Sequence, residues 1–234
     1  KRNIKVSYTP DAPMPAVAEF TIAMMHVLLR NIHVCNSQMH KGNWSRYVGR
    51  QFSAVTIGII GVGPIGNKVV EKLVSFECPR ILINDVSLNL EIKDDPKIER
   101  TDKETIYKEA DLISLHVPLT SQTKGMIGYK ELKEMKNDAM LINSSRGGII
   151  DEKDLERVLN EGHLSSVALD VYSEEPYNGG LCNIERCLLT PHMASMSVEC
   201  RTKMEIESVE EVLRFFSGKP LKNPVPLVKT NSIK

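Results

Sequence analysis

From residue 54 onward the chain alternates short apolar runs with amphipathic stretches. The runs are Val55–Ile60, Ile81–Asn84, Leu112–Leu115, Met140–Ile142, Val167–Leu169 and Leu188–Leu189, each bounded by turn residues. Between them, apolar positions recur at helical spacing in Ile65–Phe76, Asp102–Glu109, Tyr129–Lys136 and Glu152–Asn160. Thr101-x-x-Glu104 reads as a capping box and Asp151 as an N-cap. Strands that are apolar throughout, joined by helices, belong to a parallel sheet covered on both faces. The pattern therefore predicts an α/β fold, a doubly wound parallel sheet of six strands.

The two ends read differently. The opening IKVSYTPDAP reads as a strand leading into a turn. Pro15 opens a helix with Val17, Phe20, Met24 and Val27 on one side and Glu19, Ala23, His26 and Arg30 on the other, expected to be nearly buried all round. Asn36 to Arg50 is polar, contains Gly42 and Trp44, and reads as a connector. Val198–Phe216 carries Ile206, Val209, Leu213 and Phe216 on one face and stops at Gly218, with Pro220 just beyond. The remaining tail is unpatterned and is expected to pack locally or fray.

Composition removes several classes of function. The 234 residues carry 30 basic and 30 acidic side chains, so no summed field draws the chain to nucleic acid or an anionic membrane. The most apolar stretch, Ala16 to Leu29, is interrupted by Glu19 and His26 and is shorter than the roughly 20 residues of a bilayer span. The five cysteines are scattered and form no Cys-x-x-Cys pair. They read as reduced thiols of a cytoplasmic protein, with neither a disulfide framework nor a metal site. Residue 1 is Lys rather than Met, so further sequence is expected upstream, any targeting peptide included.

Candidate chemistry begins where the first strand runs into Gly61-Val-Gly63-Pro64-Ile65-Gly66 and a helix follows at once. In that context Gly61 permits the tight turn, Gly63 lets the backbone approach a pyrophosphate, and Gly66 lets helix and strand pack closely. The helix N-terminus adds amide donors and a positive dipole end. Asp85, 19 residues after Gly66, closes the second strand where a carboxylate accepts hydrogen bonds from an adenosine ribose. Its charge repels a 2'-phosphate, so the expected cofactor is NAD rather than NADP.

In an open parallel sheet, ligands bind outside the carboxyl ends of the strands. There the third strand delivers His116-Val117-Pro118, the fourth Asn143-Ser144-Ser145-Arg146-Gly-Gly, the fifth Asp170-Val-Tyr-Ser-Glu-Glu175-Pro, and the sixth Thr190-Pro-His192. Arg146 presents a planar fork for a carboxylate or carbonyl. His192 is placed to take the proton of an alcohol as hydride leaves the carbon, or to return it in reduction. Glu175 is expected to hold the imidazole in one tautomer and favour its protonated form.

The residues GVGPIG, LHVPLT, NSSRGGIIDEKDL, ALDVYSEEP and LLTPHMAS, in this order, closely resemble the NAD-dependent D-isomer-specific 2-hydroxyacid dehydrogenases over about Ile4 to Pro224. The resemblance implies a Rossmann-type domain that transfers hydride between NAD(H) and a small D-2-hydroxy acid or 2-keto acid, with Arg146, Glu175 and His192 as the catalytic set. It further implies that Pro64 and Ile65 contact the pyrophosphate and Asp85 the ribose. The stretch around His116, Val117 and Pro118 and the turn from Ser144 through Ser145 to Arg146 would contact the dinucleotide, and Asp170 the nicotinamide amide. It also implies a homodimer through the N-terminal helical segment of the NAD domain. Domain limits follow: 1–9 a remnant of a substrate-binding domain, 10–200 the NAD-binding domain, and 201–234 a helix and tail returning to the substrate domain. Because that family's substrate domain comes largely from residues upstream, the chain by itself is expected to bind NAD but turn over poorly.

Two departures bear on these expectations. The first helix leaves through Glu77-Cys78-Pro79-Arg80, where the family usually has a glycine turn. A formate dehydrogenase would carry glutamine where Glu175 stands, and the glutamate argues against that relative. A non-catalytic NAD-sensing module of the corepressor type retains the same three residues and stays open as the alternative.

Overall fold

The computed structural model describes residues 4–87, 92 and 94–225. The chain divides into two compact units, residues 17–194 and the two chain ends, 1–16 with 195–234. The larger unit is built on seven parallel strands in the order β3-β2-β1-β4-β5-β6-β7. They are β1 (Thr56–Ile60), β2 (Arg80–Asn84), β3 (Ile98–Arg100), β4 (Leu112–Leu115), β5 (Met140–Asn143), β6 (Ser166–Leu169) and β7 (Cys187–Leu189). The helices are α1 (Pro13–Leu29), α2 (Ile32–His40), α3 (Pro64–Ser75), α4 (Lys103–Glu109), α5 (Tyr129–Glu134), α6 (Glu152–Asn160) and α7 (Val198–Phe216).

Successive residues of each strand face opposite sides of the sheet, which is why the runs are apolar throughout. Ile57 and Ile59 of β1, Ile81 and Ile83 of β2 and Ile142 of β5 bury against α1 and α3. Ile60, Leu82, Ile113, Leu141 and Val167 bury against α4, α5 and α6. Gly58 admits α4 to the sheet, since a Cβ there would stand 2.4 Å from Ile106 Cγ2.

The register sets up everything that follows. Asn84 pairs with Ile60, Ile60 with Leu115, Leu115 with Asn143, Asn143 with Leu169 and Leu169 with Leu189. The carboxyl ends of six strands thus lie level along one edge, and the residues that leave them start from one row. Strand order reverses between β1 and β4, the switch point at which open α/β sheets bind ligands.

Several expectations need correction. Among the described residues the sheet has seven strands rather than six, the extra one being β3. The stretch read as a connector begins inside a helix, α2, whose polar side is held by Glu185: its carboxylate accepts from Ser37 Oγ at 3.0 Å, Gln38 Nε2 at 2.8 Å and Lys41 Nζ at 2.7 Å. Helix α1 is not buried all round, because Glu19, Ala23, His26 and Arg30 form a stripe facing away from the sheet. At α4 the capping box is replaced by Asp102, whose Oδ1 accepts from Thr105 N at 2.7 Å. Asp151 does cap α6, accepting from Lys153 N and Asp154 N.

In the smaller unit, α7 is capped by Ser197, whose Oγ accepts from Cys200 N at 3.2 Å, and ends before Gly218 at φ +69°. The chain ends meet: Ser7 bridges Pro224 in antiparallel fashion, and Tyr8 N donates to Asn223 O at 3.2 Å. The opening residues therefore form a single bridge rather than a strand. Ile206, Val209, Leu213 and Phe216 of α7 are exposed, and a groove of about 740 Å³ lies between the helix and residues Ile4 to Thr9. Among the described residues, no helix is long and apolar enough to cross a membrane.

Candidate active site

The glycine turn has the shape its spacing implies. Gly61 has φ +93°, and a Cβ on it would lie 2.6 Å from the His116 carbonyl. A Cβ on Gly66 would lie 2.1 Å from Gly61 O, so only hydrogen fits between turn and helix. Gly63 meets nothing within 4 Å, which leaves its backbone open on the side a pyrophosphate would approach. Pro64 and Ile65 form the first turn of α3, whose leading N–H groups have no acceptor within the helix. The cradle fits a dinucleotide phosphate.

Asp85, at the end of β2, is fastened to this turn. Its Oδ2 accepts from Val62 N and its Oδ1 from Ser87 N, both at 2.7 Å. A carboxylate has about four lone-pair positions, so acceptor capacity remains for a ribose. His116 turns back toward the sheet, with Nε2 2.9 Å from Ser114 Oγ. Burial lowers its pKa to about 4, so the imidazole stays neutral. Its part in the cradle is the carbonyl that Gly61 packs against. Val117 and Pro118 follow on the open edge, and Pro118 O accepts from Thr123 Oγ1 at 2.6 Å.

The arginine turn after β5 is shaped by Asn143. Its Nδ2 donates to Arg146 O at 2.9 Å, and its Oδ1 accepts from Ser145 Oγ at 2.7 Å and Ser145 N at 3.1 Å. Ser144 departs from expectation. Its buried hydroxyl lies 2.8 Å from Thr21 Oγ1, which itself donates to Val17 O, so Ser144 donates to Thr21. The hydroxyl faces α1, and only the Ser144 backbone is left for a dinucleotide. Arg146 is exposed, with Nη1 donating to Ser145 O at 2.6 Å. Four further guanidinium N–H groups are available to a carboxylate.

Glu175 and His192 meet. Glu175 Oε2 accepts from His192 Nδ1 at 2.9 Å, and Glu175 Oε1 accepts from Tyr172 N at 3.1 Å. The hydrogen bond from His192 holds the Glu175 carboxyl below the usual carboxylate range; burial opposes it and the Tyr172 N–H assists. Nδ1 carries the proton of that bond, leaving the Nε2 lone pair free to accept another. Arg146 shares this edge, and its turn is pressed against the glutamate loop: a Cβ on Gly147 would lie 1.8 Å from Tyr172 O. Among the described residues, no hydrogen bond joins Arg146 to Glu175 or His192.

Asp170 proves to be an internal anchor. It is fully buried; Oδ1 accepts from Thr190 Oγ1 at 2.6 Å and Met193 N at 2.8 Å, and Oδ2 from Ala194 N at 2.9 Å. These bonds fasten both sides of the turn carrying His192, which sits at φ +51° with its N–H donating to Thr190 O at 3.1 Å. Oδ2 keeps one lone pair beyond these bonds. Asn143 and Thr190 were not singled out from the sequence, since polar residues at strand ends are ordinary until their partners are known.

Comparison with known proteins agrees with this geometry. Residues 22–194 match the family model of the D-isomer specific 2-hydroxyacid dehydrogenase, NAD binding domain. The chain is 33% identical over 227 residues to a glyoxylate reductase of Thermofilum pendens, the match covering 93% of this chain and 67% of that protein. It is 33% identical over 229 residues to a D-3-phosphoglycerate dehydrogenase of Methanocaldococcus jannaschii, covering 96% of this chain and 44% of that protein. Among solved structures, D-lactate dehydrogenase with NAD+ from Lactobacillus jensenii superposes with a TM-score of 0.86 at 29% identity, covering 95% of this chain and 72% of the other. Family match, sheet topology and glycine cradle agree, and the chain belongs to the D-isomer-specific 2-hydroxyacid dehydrogenases, of which it carries the NAD-binding domain.

Proposed function

We propose that this chain forms the NAD-binding part of an oxidoreductase that moves hydride between NAD(H) and a small D-2-hydroxy acid or 2-keto acid. The observation that carries the reading is the 2.9 Å His192–Glu175 pair, set on the same sheet edge as the Arg146 turn and the glycine cradle. Gly61 to Gly66 would hold the pyrophosphate of NAD, Asp85 the ribose, and the edge from His116 to Pro118 with the 144–146 turn the remainder. When bound, NAD supplies the hydride acceptor or donor.

The protein's own groups do the rest. Arg146 pairs with the substrate carboxylate and orients it. His192, steadied through Nδ1 by Glu175, takes or returns the alcohol proton at Nε2, a role worth roughly 10²- to 10⁴-fold in rate. The imidazolium formed in the oxidative direction is balanced by the Glu175 carboxylate. A non-catalytic NAD-sensing role has no observation of its own in its favour.

That the match leaves about a third of the Thermofilum pendens protein's length uncovered supports a substrate-binding lobe outside the matched stretch. We propose that residues 1–9 and 201–234 belong with that lobe and 10–200 with the NAD domain. The exposed Ile32, Met39, Trp44, Tyr47 and Val48 on α2 and the segment after it support a homodimer through this face. The five cysteines are free thiols, which supports a reducing compartment such as the cytoplasm. The test is turnover of a panel of 2-keto acids with NADH by the full-length protein. His192→Ala should lower kcat by at least a hundredfold while NADH affinity holds; a fully active variant overturns the reading.

A further inference from the structure

We propose that Tyr172 is the positioning residue that locks the three reactive loops to one another, an inference that rests on the function proposed above. Its backbone N–H donates to Glu175 Oε1 at 3.1 Å. Its phenol lies 3.1 Å from both Leu169 O and Thr190 O. Thr190 O is also the acceptor of the His192 N–H at 3.1 Å, so the phenol and the catalytic histidine's own amide share one carbonyl. Its carbonyl side is the surface against which Gly147, next to Arg146, is pressed. One residue therefore touches the backbone of the arginine turn, the carboxylate of Glu175 and the turn that bears His192.

The side chain is built to stay in place. Tyr172 is 8% exposed, and its ring stacks on Tyr177 with centroids 4.4 Å apart and planes 14° from parallel. Burial raises the phenol's pKa, so the group is a hydrogen-bond donor throughout the working range. His192, at φ +51°, sits in a backbone region that a histidine holds only when its surroundings enforce it. From the solvent side, the Glu175 carboxylate enforces the ring; from inside, the Tyr172 phenol enforces the turn. Asp170 holds the flanks of that turn through Thr190, Met193 and Ala194, but of these two buried residues only Tyr172 also touches the glutamate, through its main-chain N–H.

Tyr172→Phe removes only the hydroxyl. Leu169 O still accepts from Thr190 N at 3.0 Å and Thr190 O from His192 N, so neither carbonyl is orphaned. In the full-length enzyme the variant should keep its NADH affinity and its KM for the 2-keto acid within twofold, while kcat falls about tenfold. Replacement by 4-aminophenylalanine, which restores an N–H donor on a ring of nearly the same shape, should recover most of that loss. In a Glu175→Gln background the same substitution should cost less than threefold, because the pair it aligns is already impaired.

Unchanged kcat in Tyr172→Phe overturns the proposal. An equal loss in both backgrounds also does so, since it shows a role independent of the Glu175–His192 pair. A variant that does not fold, or one not recovered by the amino analogue, makes the phenol part of the general scaffold and likewise overturns the assignment. Loss of the underlying functional reading would appear separately, as full activity of His192→Ala.

Discussion

Gly147→Ala adds one methyl group where the arginine turn and the glutamate loop touch, and its cost can be worked from the structure. The new Cβ would stand 1.8 Å from Tyr172 O, 2.1 Å from Tyr172 C and 2.8 Å from Ser173 N. All three are backbone atoms, so no rotamer change relieves the clash. Reaching ordinary contact near 3.4 Å requires the arginine turn and the glutamate loop to part by about 1.6 Å. Overpacking of this kind costs roughly 1–3 kcal/mol, which for a chain of this size lowers Tm by roughly 2–12 °C. The chemical consequence is larger, since displacing a reacting group by ~1 Å costs on the order of a hundredfold in rate.

Thermal melting followed by circular dichroism gives the first quantity, and steady-state turnover of a 2-keto acid by the full-length protein gives the second. Gly63→Ala is the matched control. Its Cβ meets nothing within 4 Å, so Tm should hold while NADH binds more weakly. A Gly147→Ala enzyme with kcat within threefold of the parent and an unaltered Tm would refute the argument that the two loops are wedged together.

Three further outcomes follow from particular residues. Asp85→Ser should weaken NADH binding and cut its preference over NADPH at least tenfold; an unchanged preference, read by fluorescence titration, would remove Asp85 from the ribose site. Glu77 holds φ +60° at the exit of α3, where a side chain is strained, so Glu77→Gly should raise stability by about 0.5–1 kcal/mol; a lower Tm counts against it. His116 titrates near 4 when folded against roughly 6.5 when unfolded. The unfolded chain therefore takes up the proton first, so this contribution is complete above pH 6.5 and is lost as pH falls toward 4, by at most about 3 kcal/mol. His33 is also held below its ordinary value by burial, so the comparison is with His116→Asn, whose urea-unfolding free energy should fall less steeply between pH 6.5 and 4. Equal slopes would refute it.

What could be read from the residues alone follows a physical divide. Strands β4 and β5 and helices α6 and α7 were legible because their pattern is local: apolar runs between turns, a capping aspartate, a glycine stop. Strand β3 was not, because Ile98-Glu99-Arg100 is three residues long, pairs among the described residues with β2 alone and buries almost nothing. Helix α2 was missed for a different reason. No residue of it is fully buried, and it is steadied by Glu185, a carboxylate more than a hundred positions away.

The site divides likewise. Gly61, Gly63 and Gly66 could be assigned roles because each role is a property of a single backbone position. Ser144 could not, since its hydroxyl is claimed by Thr21 of α1, and Tyr172 drew no role because its phenol's partners are carbonyls that no side-chain motif records.

The level row of strand ends has a consequence for how such a protein can change. On the function proposed above, the pyrophosphate and ribose of the nucleotide would be held where β1 and β2 end, whereas the proton and the acid would be handled where β5, β6 and β7 end. Drift at the outer margin can therefore retune which molecule reacts while the purchase on the coenzyme stays as it was, so new chemistries can be tried on this frame without rebuilding its grip.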